Sequence, residues 1–355
     1  MDAGTLAAAL APFVPAADPK ALVAAHRFLL VSPDRLAVRT ARVSADSAFQ
    51  THVAGLDNWI AVNCAQLAGV VGSLPEKAPI TLALDGALTW KCGGASGRLA
   101  TQPAEAPKPL PRILPSFVRG SPALAALFDL GAVSCSGSHL NSVGLYGVAL
   151  RRDGRSLWCL SSDNVSISAA RMELPEDAGE PWQVTMAPTE AALLATLLGS
   201  PDSSLAIRGG QVQYTAPGFQ AVVGLVPPLK HDVNAMFAPF SGGGTVIPLP
   251  AALVGKFVKR TAALAESKKT AAVTLVADAG LLTLQFAEQR SQTEEKFPLA
   301  EGVEVPERMQ ITIDAAKLAK ALQHTDDIVV DHMARRCVTF RNRAQTFWYV
   351  IAGKP

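Results

Sequence analysis

The chain has little net charge, few aromatic residues and no paired cysteines. Its 32 lysines and arginines nearly balance 30 aspartates and glutamates, for a formal net charge of +2. That balance excludes a polybasic nucleic-acid binder, so any attraction to phosphate has to come from local patches. Aromatics make up 6% of the residues, which leaves Leu, Val, Ile and Ala to build the core. The five cysteines (Cys64, Cys92, Cys135, Cys159, Cys337) are odd in number and scattered, with no CxxC. They read as reduced thiols of a cytoplasmic protein rather than a disulfide framework or a zinc site. No apolar run approaches the ~18 residues needed to cross a membrane, so no membrane partner is expected. The Ala-rich stretch Met1 to Val14 carries Asp2 and lacks a basic leader, so it reads as a short helix and not a signal peptide.

Catalytic signatures are missing as well. The histidines form no HxH or HExxH spacing, and there is no P-loop or GxGxxG. Gly242-Gly243-Gly244 runs into Thr245 and a strand rather than a Lys-Ser/Thr helix, and so reads as a linker. No catalytic residue, metal or cofactor is expected. An enzyme using a cysteine or histidine stays open as a remote alternative, and would need such a group perturbed in a cleft.

Hydrophobic residues are plentiful, 49% against 17% charged, as in a globular chain. A length of 355 residues implies two or three domains. An internal repeat decides for three. Asn63-Cys-Ala-Gln-Leu67-Ala-Gly-Val-Val71, Thr189-Glu-Ala-Ala-Leu193-Leu-Ala-Thr-Leu197 and Asp314-Ala-Ala-Lys-Leu318-Ala-Lys-Ala-Leu322 each begin with a helix-capping residue. Each then sets apolar residues one helical face apart. A short strand precedes each helix (Trp59–Val62, Gln183–Met186, Gln310–Ile313) and a hairpin follows it. The hairpins are Ile80–Leu84 with Leu88–Cys92, Leu205–Arg208 with Gln211–Thr215, and Ile328–Asp331 with Cys337–Arg341. Asp85-Gly86 and Gly209-Gly210 suit the positive φ angles of tight turns, whereas Met333 to Arg336 is a less typical connection. A second helix opens each unit, around Thr5–Leu10, Ser121–Phe128 and Pro250–Phe257, followed by antiparallel strands. The expected class is α+β, with domains 1–115, 116–244 and 245–355 joined by a stiff Pro-rich link, Pro103 to Pro115, and by Ala238 to Gly244.

Several stretches resemble the bacterial DNA polymerase III β subunit, the β sliding clamp. Leu205-Ala-Ile-Arg-Gly-Gly-Gln-Val-Gln-Tyr, running on to Ala221-Val-Val-Gly-Leu-Val226, is similar to the end of that family's middle domain. Leu157-Trp-Cys-Leu-Ser-Ser-Asp163 stands where the family has a strand and a Thr-Asp-Gly turn. Met309 to Asp314 and Tyr349-Val-Ile351 resemble its last domain. The resemblance implies three repeated clamp domains, a head-to-tail homodimeric ring with helices lining the hole, and sheets that continue across subunit edges. It also implies a processivity factor at replication sites that encircles duplex DNA without reading its sequence. Such a clamp tethers polymerase and clamp loader through short linear motifs.

Site residues follow from the resemblance. Expected DNA contacts are Lys256, Lys259, Arg260, Lys317 and Lys320, followed by Lys268 and Lys269. These make the third segment the most basic of the three, with 15 cationic and 12 anionic residues. The equivalent helices of the first two segments are almost uncharged, apart from Asp129 and Glu190. The partner pocket falls on Ser162, Asn164, Val165, Ser166 and Ile167, with Leu157 beside them, and on Val246, Ile247, Val350, Ile351 and Ala352. The family's Thr-Asp-Gly-His-Arg-Leu turn reads Ser162-Asp163-Asn164-Val165-Ser166-Ile167 here, and its Met-Pro-Met-Arg tail reads Ala352-Gly353-Lys354-Pro355. Loss of an Arg and two Met changes both charge and adaptability. The sequence therefore reads as a divergent clamp, of a kind a phage could encode, with partners of its own. The subunit joint is placed on Gly97, Arg98, Leu99 and Ala100 against Ala263 and Leu264. A clamp-fold scaffold that binds proteins without encircling DNA remains the alternative.

Overall fold

The computed structural model describes residues 1–17, 24–112, 117–135, 147–175, 180–208, 210–229, 232–242, 244–266, 271–278, 280–288, 291–305 and 307–354. The helices are α1 (Ala3–Leu10), α2 (Cys64–Gly72), α3 (Pro122–Gly131), α4 (Pro188–Leu197), α5 (Val233–Phe237), α6 (Ala251–Leu264) and α7 (Ala315–Ala321). The chain divides into two compact units. One is Met1–Ala126 with Thr189–Val226, and the other is Leu127–Pro188 with Pro227–Pro355.

Local chemistry accounts for the helix starts. The Asn63 side chain accepts from the Gln66 N–H, and Asp314 accepts from the N–H groups of Ala316 and Lys317. Ser121 Oγ accepts from the Leu124 N–H at 3.1 Å, with Pro122 at the first helical position. Each satisfies an orphan donor of a first turn. The middle repeat differs by one residue. Helix α4 starts at Pro188, and Thr189 lies inside its first turn with its hydroxyl on the Glu190 carboxylate. A proline loses nothing at that position, because its missing N–H would have no helical partner.

In the first unit, nine strands form one antiparallel sheet in the order 118–119, 204–208, 211–216, 219–224, 43–48, 35–39, 28–31, 60–63 and 101–103. Strand Phe219–Gly224 pairs directly with Val43–Ala48, Phe219 opposite Ser47 and Val223 opposite Val43. The sheet is thus built from sequence on both sides of residue 115. Strands 53–54, 80–84, 88–92 and 95–99 make a second sheet. Its Ile80–Cys92 hairpin turns at Gly86, φ 62°. Helices α1 and α2 pack together, burying Leu6 and Leu10 from one and Leu67 and Val71 from the other. The described part of the Pro-rich link, residues 103–112, lies on the large sheet, where Arg39 donates to the Lys108 carbonyl and Gln220 to the Pro111 carbonyl, each at 2.9 Å. Ala104, Pro107 and Leu110 are its half-buried residues and those between them are exposed. That period of three matches a polyproline helix resting on one edge.

In the second unit, eight strands run in the order 182–186, 148–153, 156–162, 166–173, 347–352, 337–341, 327–329 and 246–248. Strands 291–298, 281–288, 272–278 and 309–314 form a further sheet. Helices α6 and α7 pack together, burying Val254, Phe257, Val258 and Thr261 of α6 and Ala315, Leu318 and Ala321 of α7. The connection expected at Met333 to Arg336 is a 3-10 turn, Asp331–Arg335, closed by Arg336 in the left-handed conformation at φ 57°. The preceding strand is shorter than expected, Asp327–Val329. The C-terminal end of α3 seats closely on the large sheet. A Cβ on Gly131 would overlap Cys159, and the Gly131 carbonyl accepts from Ser161 Oγ at 2.7 Å and Ser168 Oγ at 2.8 Å. All five cysteines are free thiols.

Candidate functional site

Strand alternation decides which expected pocket residues share a surface. Strand Ser166–Glu173 pairs with Phe347–Ala352, with Ile167 opposite Val350, Ser166 opposite Ile351 and Ala169 opposite Trp348. On its other side Ser162 stands opposite Ile167, and Leu157 opposite Met172. Side chains alternate along a strand, so Ser162, Ile167, Val350 and Ala352 share one face. Leu157, Ser166 and Ile351 belong to the opposite face. Val246 and Ile247 sit on the edge strand, paired to Val329 and Ile328. They are three strands, about 14 Å, from Val350 at the usual ~4.8 Å spacing. The structure therefore does not bring these two to the others.

The face that carries Ile167 and Val350 is walled by a segment the sequence reading did not select. Val233 and Phe237 of α5 pack on Leu160, Ile167, Ala169, Trp348 and Val350, with Trp158, Leu229, Phe240 and Cys337 at the margin. Asp232 caps α5 by accepting from the Asn234 and Ala235 N–H groups. Trp158 stacks on Trp348 with ring centroids 5.5 Å apart, and Phe237 meets Trp348 edge-on at 5.8 Å. Phe240 meets His332 at 5.3 Å, and His332 Nδ1 lies 2.7 Å from Thr339 Oγ1. Burial, and then the charge of Arg335, push the His332 pKa down. The open part of this face is a pocket lined by Arg151, Asp153, Trp158, Leu160, Asn234, Phe237, Ala238 and Ser241. The sequence signal for it was Asp232 capping a short run with Val233, Phe237 and Phe240 on one side.

At the strand turn, Asn164 adopts φ 71° and Val165 is 45% exposed. Asp163 organises the turn. Its Oδ1 accepts from the Ser166 N–H at 2.8 Å, Ser166 Oγ at 2.9 Å and the Val165 N–H at 3.2 Å. Its other oxygen pairs with Lys317 of α7, which also reaches Ser166 Oγ at 3.2 Å. Burial raises the Asp163 pKa, but Lys317 and the Ser166 donors outweigh it and hold the carboxyl below its ordinary value. Ser134, Ser161, Ser168 and Tyr349 extend the network behind the turn, with Tyr349 Oη 3.3 Å from Ser166 Oγ.

The expected cations separate into two groups. Lys256 and Lys259 are exposed on α6. Arg260, also exposed, pairs with Glu295. Lys317 is half-buried and Lys320 exposed, and both are engaged within the protein. Lys317 is held by Asp163, and Lys320 donates to the Val133 carbonyl. Burial, with the neighbouring Lys317 charge, lowers the Lys320 pKa. Lys268 and Lys269 lie outside the described residues.

Of the expected joint residues, Gly97, Arg98 and Leu99 belong to the edge strand Ala95–Leu99, which Ala100 follows. Gly97 leaves room for the Trp90 indole, since a Cβ there would come within 2.8 Å of the ring. Ala263 and Leu264 are exposed at the C-terminal end of α6. Among the described residues, no group of three or more His, Cys, Asp or Glu is placed to hold a metal ion. Among the described residues, no helix is long and apolar enough to cross a membrane.

No family model and no curated protein matches the sequence. Solved structures do match along its whole length. A putative DNA polymerase III β subunit from Eubacterium rectale superposes with a TM-score of 0.79 at 13% identity, covering 99% of this chain and 98% of its own. The sliding clamp of Pseudomonas aeruginosa bound to griselimycin gives 0.78 at 17% identity, covering 100% and 98%. The DNA polymerase sliding clamp of Bacillus subtilis gives 0.79 at 16% identity, covering 100% and 98%. The chain has the mixed α+β fold of the sliding clamps, whose three repeated domains it matches from end to end.

Proposed function

We propose that this protein is a sliding clamp, a non-enzymatic ring subunit that encircles duplex DNA and tethers replication proteins to it. The observation that carries this reading is the end-to-end clamp fold at near-complete coverage of both chains. Three domains, 1–115, 116–244 and 245–355, supply the repeated helix pairs. Two subunits close head to tail, the strand around Gly97, Arg98, Leu99 and Ala100 meeting the α6 end around Ala263 and Leu264. An edge strand with unpaired backbone groups favours such pairing.

DNA is held by sequence-blind phosphate contact. Lys256 and Lys259 are its main carriers, because Arg260 is shared with Glu295, Lys317 with Asp163 and Lys320 with the Val133 carbonyl. Weak contact is sufficient for a ring, which topology retains on DNA. Partner motifs dock at the turn Ser162–Ile167 and the tail Val350–Ala352, where Ile167 and Val350 share a face and Val165 is exposed. Val233, Phe237 and Phe240 already fill much of that face. The usual bacterial clamp-binding motif therefore binds this protein more weakly than it binds a standard clamp.

The deciding experiment is small-angle scattering with mass photometry. A clamp gives a particle of twice the 37.1 kDa chain, about 74 kDa, with a central void, as a closed two-fold assembly requires. A monomer at every concentration, unable to be retained on circular DNA, refutes the reading. The engagement of Lys317 by Asp163 and of Lys320 by the Val133 carbonyl favours one alternative, a clamp-fold scaffold that binds proteins without encircling DNA. That scaffold would show partner binding with no retention on DNA.

A further inference from the structure

The open pocket between Trp158 and Phe237 lies away from the turn and tail assigned above. Trp158 stands opposite Arg171 in the strand register, four residues from Ile167, which is about 13 Å along a strand. We propose that this pocket is a second peptide site, and that it takes an acidic segment carrying one apolar anchor residue.

The register builds the site. Trp158 faces Arg151 on one neighbouring strand and Arg171 on the other. Two cations therefore flank one indole, about 10 Å apart across two strand spacings. The Arg171 guanidinium lies 5.4 Å from the Trp158 ring centroid. Phe237 packs against the indole, its ring centroid 6.0 Å from that of Trp158 and tilted 57°. Leu160 lies in the floor, and Asn234 and Ser241 place polar groups on the rim. An apolar side chain entering here packs on the half-buried Trp158 indole, which Phe237 backs, and a few polar groups fix its direction.

Charge selects the ligand. Arg151 pairs with Asp153 at 2.8 Å and Arg171 pairs with Glu173, each the carboxylate two residues along its own strand. All four side chains are more than a third exposed, so these pairs contribute little and exchange readily for a ligand's carboxylates. Arg155 adds a third exposed cation, near Glu173. A nucleic-acid strand fits less well. Such strands stack successive bases on successive exposed aromatics, whereas Trp348 and Phe237 are 4% exposed and Trp158 alone is half-buried.

The test is fluorescence anisotropy with a labelled nonapeptide, a Leu-Phe centre flanked by Asp and Glu, against a twin with Asn and Gln in their place. The acidic peptide is expected to bind about tenfold more tightly than its twin, and to weaken as salt rises. The double variant Arg151→Gln/Arg171→Gln is expected to lose about tenfold, as is Trp158→Ala. Trp158→Phe, which keeps an aromatic wall if Trp158→Ala misfolds, retains most of the affinity. Lys77→Gln, exposed and outside both sites, leaves binding unchanged, whereas loss of affinity in Val165→Ser would place the peptide at the turn instead and overturn the proposal. Equal binding of the two peptides, full affinity in the arginine double variant, or tighter binding of single-stranded oligothymidylate would overturn the proposal. Ring closure is measured separately by scattering, so failure of this site and failure of the clamp reading are distinct results.

Discussion

Replacing Asp163 with alanine tests the link between the strand turn and α7. The substitution removes the partner of Lys317, whose side chain is 23% exposed, and three hydrogen bonds that hold Val165 and Ser166. Breaking a fully buried pair costs ~3–5 kcal/mol. Partial exposure here lets water recover part of that, about half, and each hydrogen bond to the carboxylate adds roughly 1 kcal/mol less what solvent returns. The expected loss is about 3 kcal/mol. Asp163→Asn keeps an oxygen for the turn but loses the charge, and should cost about 1–2 kcal/mol. The assay is urea unfolding followed by tryptophan fluorescence, in a double-mutant cycle with Lys317→Met, where a coupling of about 1–2 kcal/mol is expected. Acid adds a second readout. The Asp163 pKa is depressed in the folded state, so its stabilisation is complete above the unfolded value near 3.8 and is lost as pH falls through the lower folded value. Asp163→Asn should flatten that limb. A loss below ~0.5 kcal/mol for Asp163→Ala, or strict additivity with Lys317→Met, would refute the pairing as a stabilising contact.

Other predictions can be measured directly. Gly131→Ala forces a methyl into Cys159 and should cost about 1–3 kcal/mol in urea unfolding, whereas Gly86→Asn at the hairpin turn should cost much less. Reversing Lys256 and Lys259 should weaken DNA binding in low salt and reduce the slope of log affinity against log salt by about 2, while reversing Lys320, which is held by the Val133 carbonyl, should mainly lower stability. Buried Cys64, its thiol pushed up to about 12, and Cys159, pushed higher still, should resist a disulfide reagent at pH 8. All five thiols should react after unfolding, and modification of Cys159 in the native protein would contradict the packing at Gly131.

Local pattern carried much of this fold. Helix caps at Asn63 and Asp314, turn glycines, and strands such as Ile80–Leu84 and Leu88–Cys92 appear in the structure where the sequence placed them. Each depends on interactions within a few residues. The site was less legible. Nothing local tells what Lys317 and Lys320 bind, since their partners lie more than 150 residues earlier in the chain. Val246 and Ile247 read as apolar strand residues, which they are, but their strand joins the sheet at its far edge. The wall that faces Ile167 and Val350 comes from α5, a helix of five residues too short for periodicity to single out.

The sequence by itself determined the elements, their order and their repetition, because caps, turns and alternation are short-range steric and hydrogen-bonding effects. It also determined the scarcity of charge on the helices of the first two repeats. Only the tertiary structure decided which faces those elements share. Strand register fixes whether Ile167 or Ser166 meets the outer surface, and it sets Trp158 between Arg151 and Arg171. Packing of α7 against the 163–166 turn decides which lysines remain free, since a long flexible cation takes whichever anion or carbonyl the fold brings within reach.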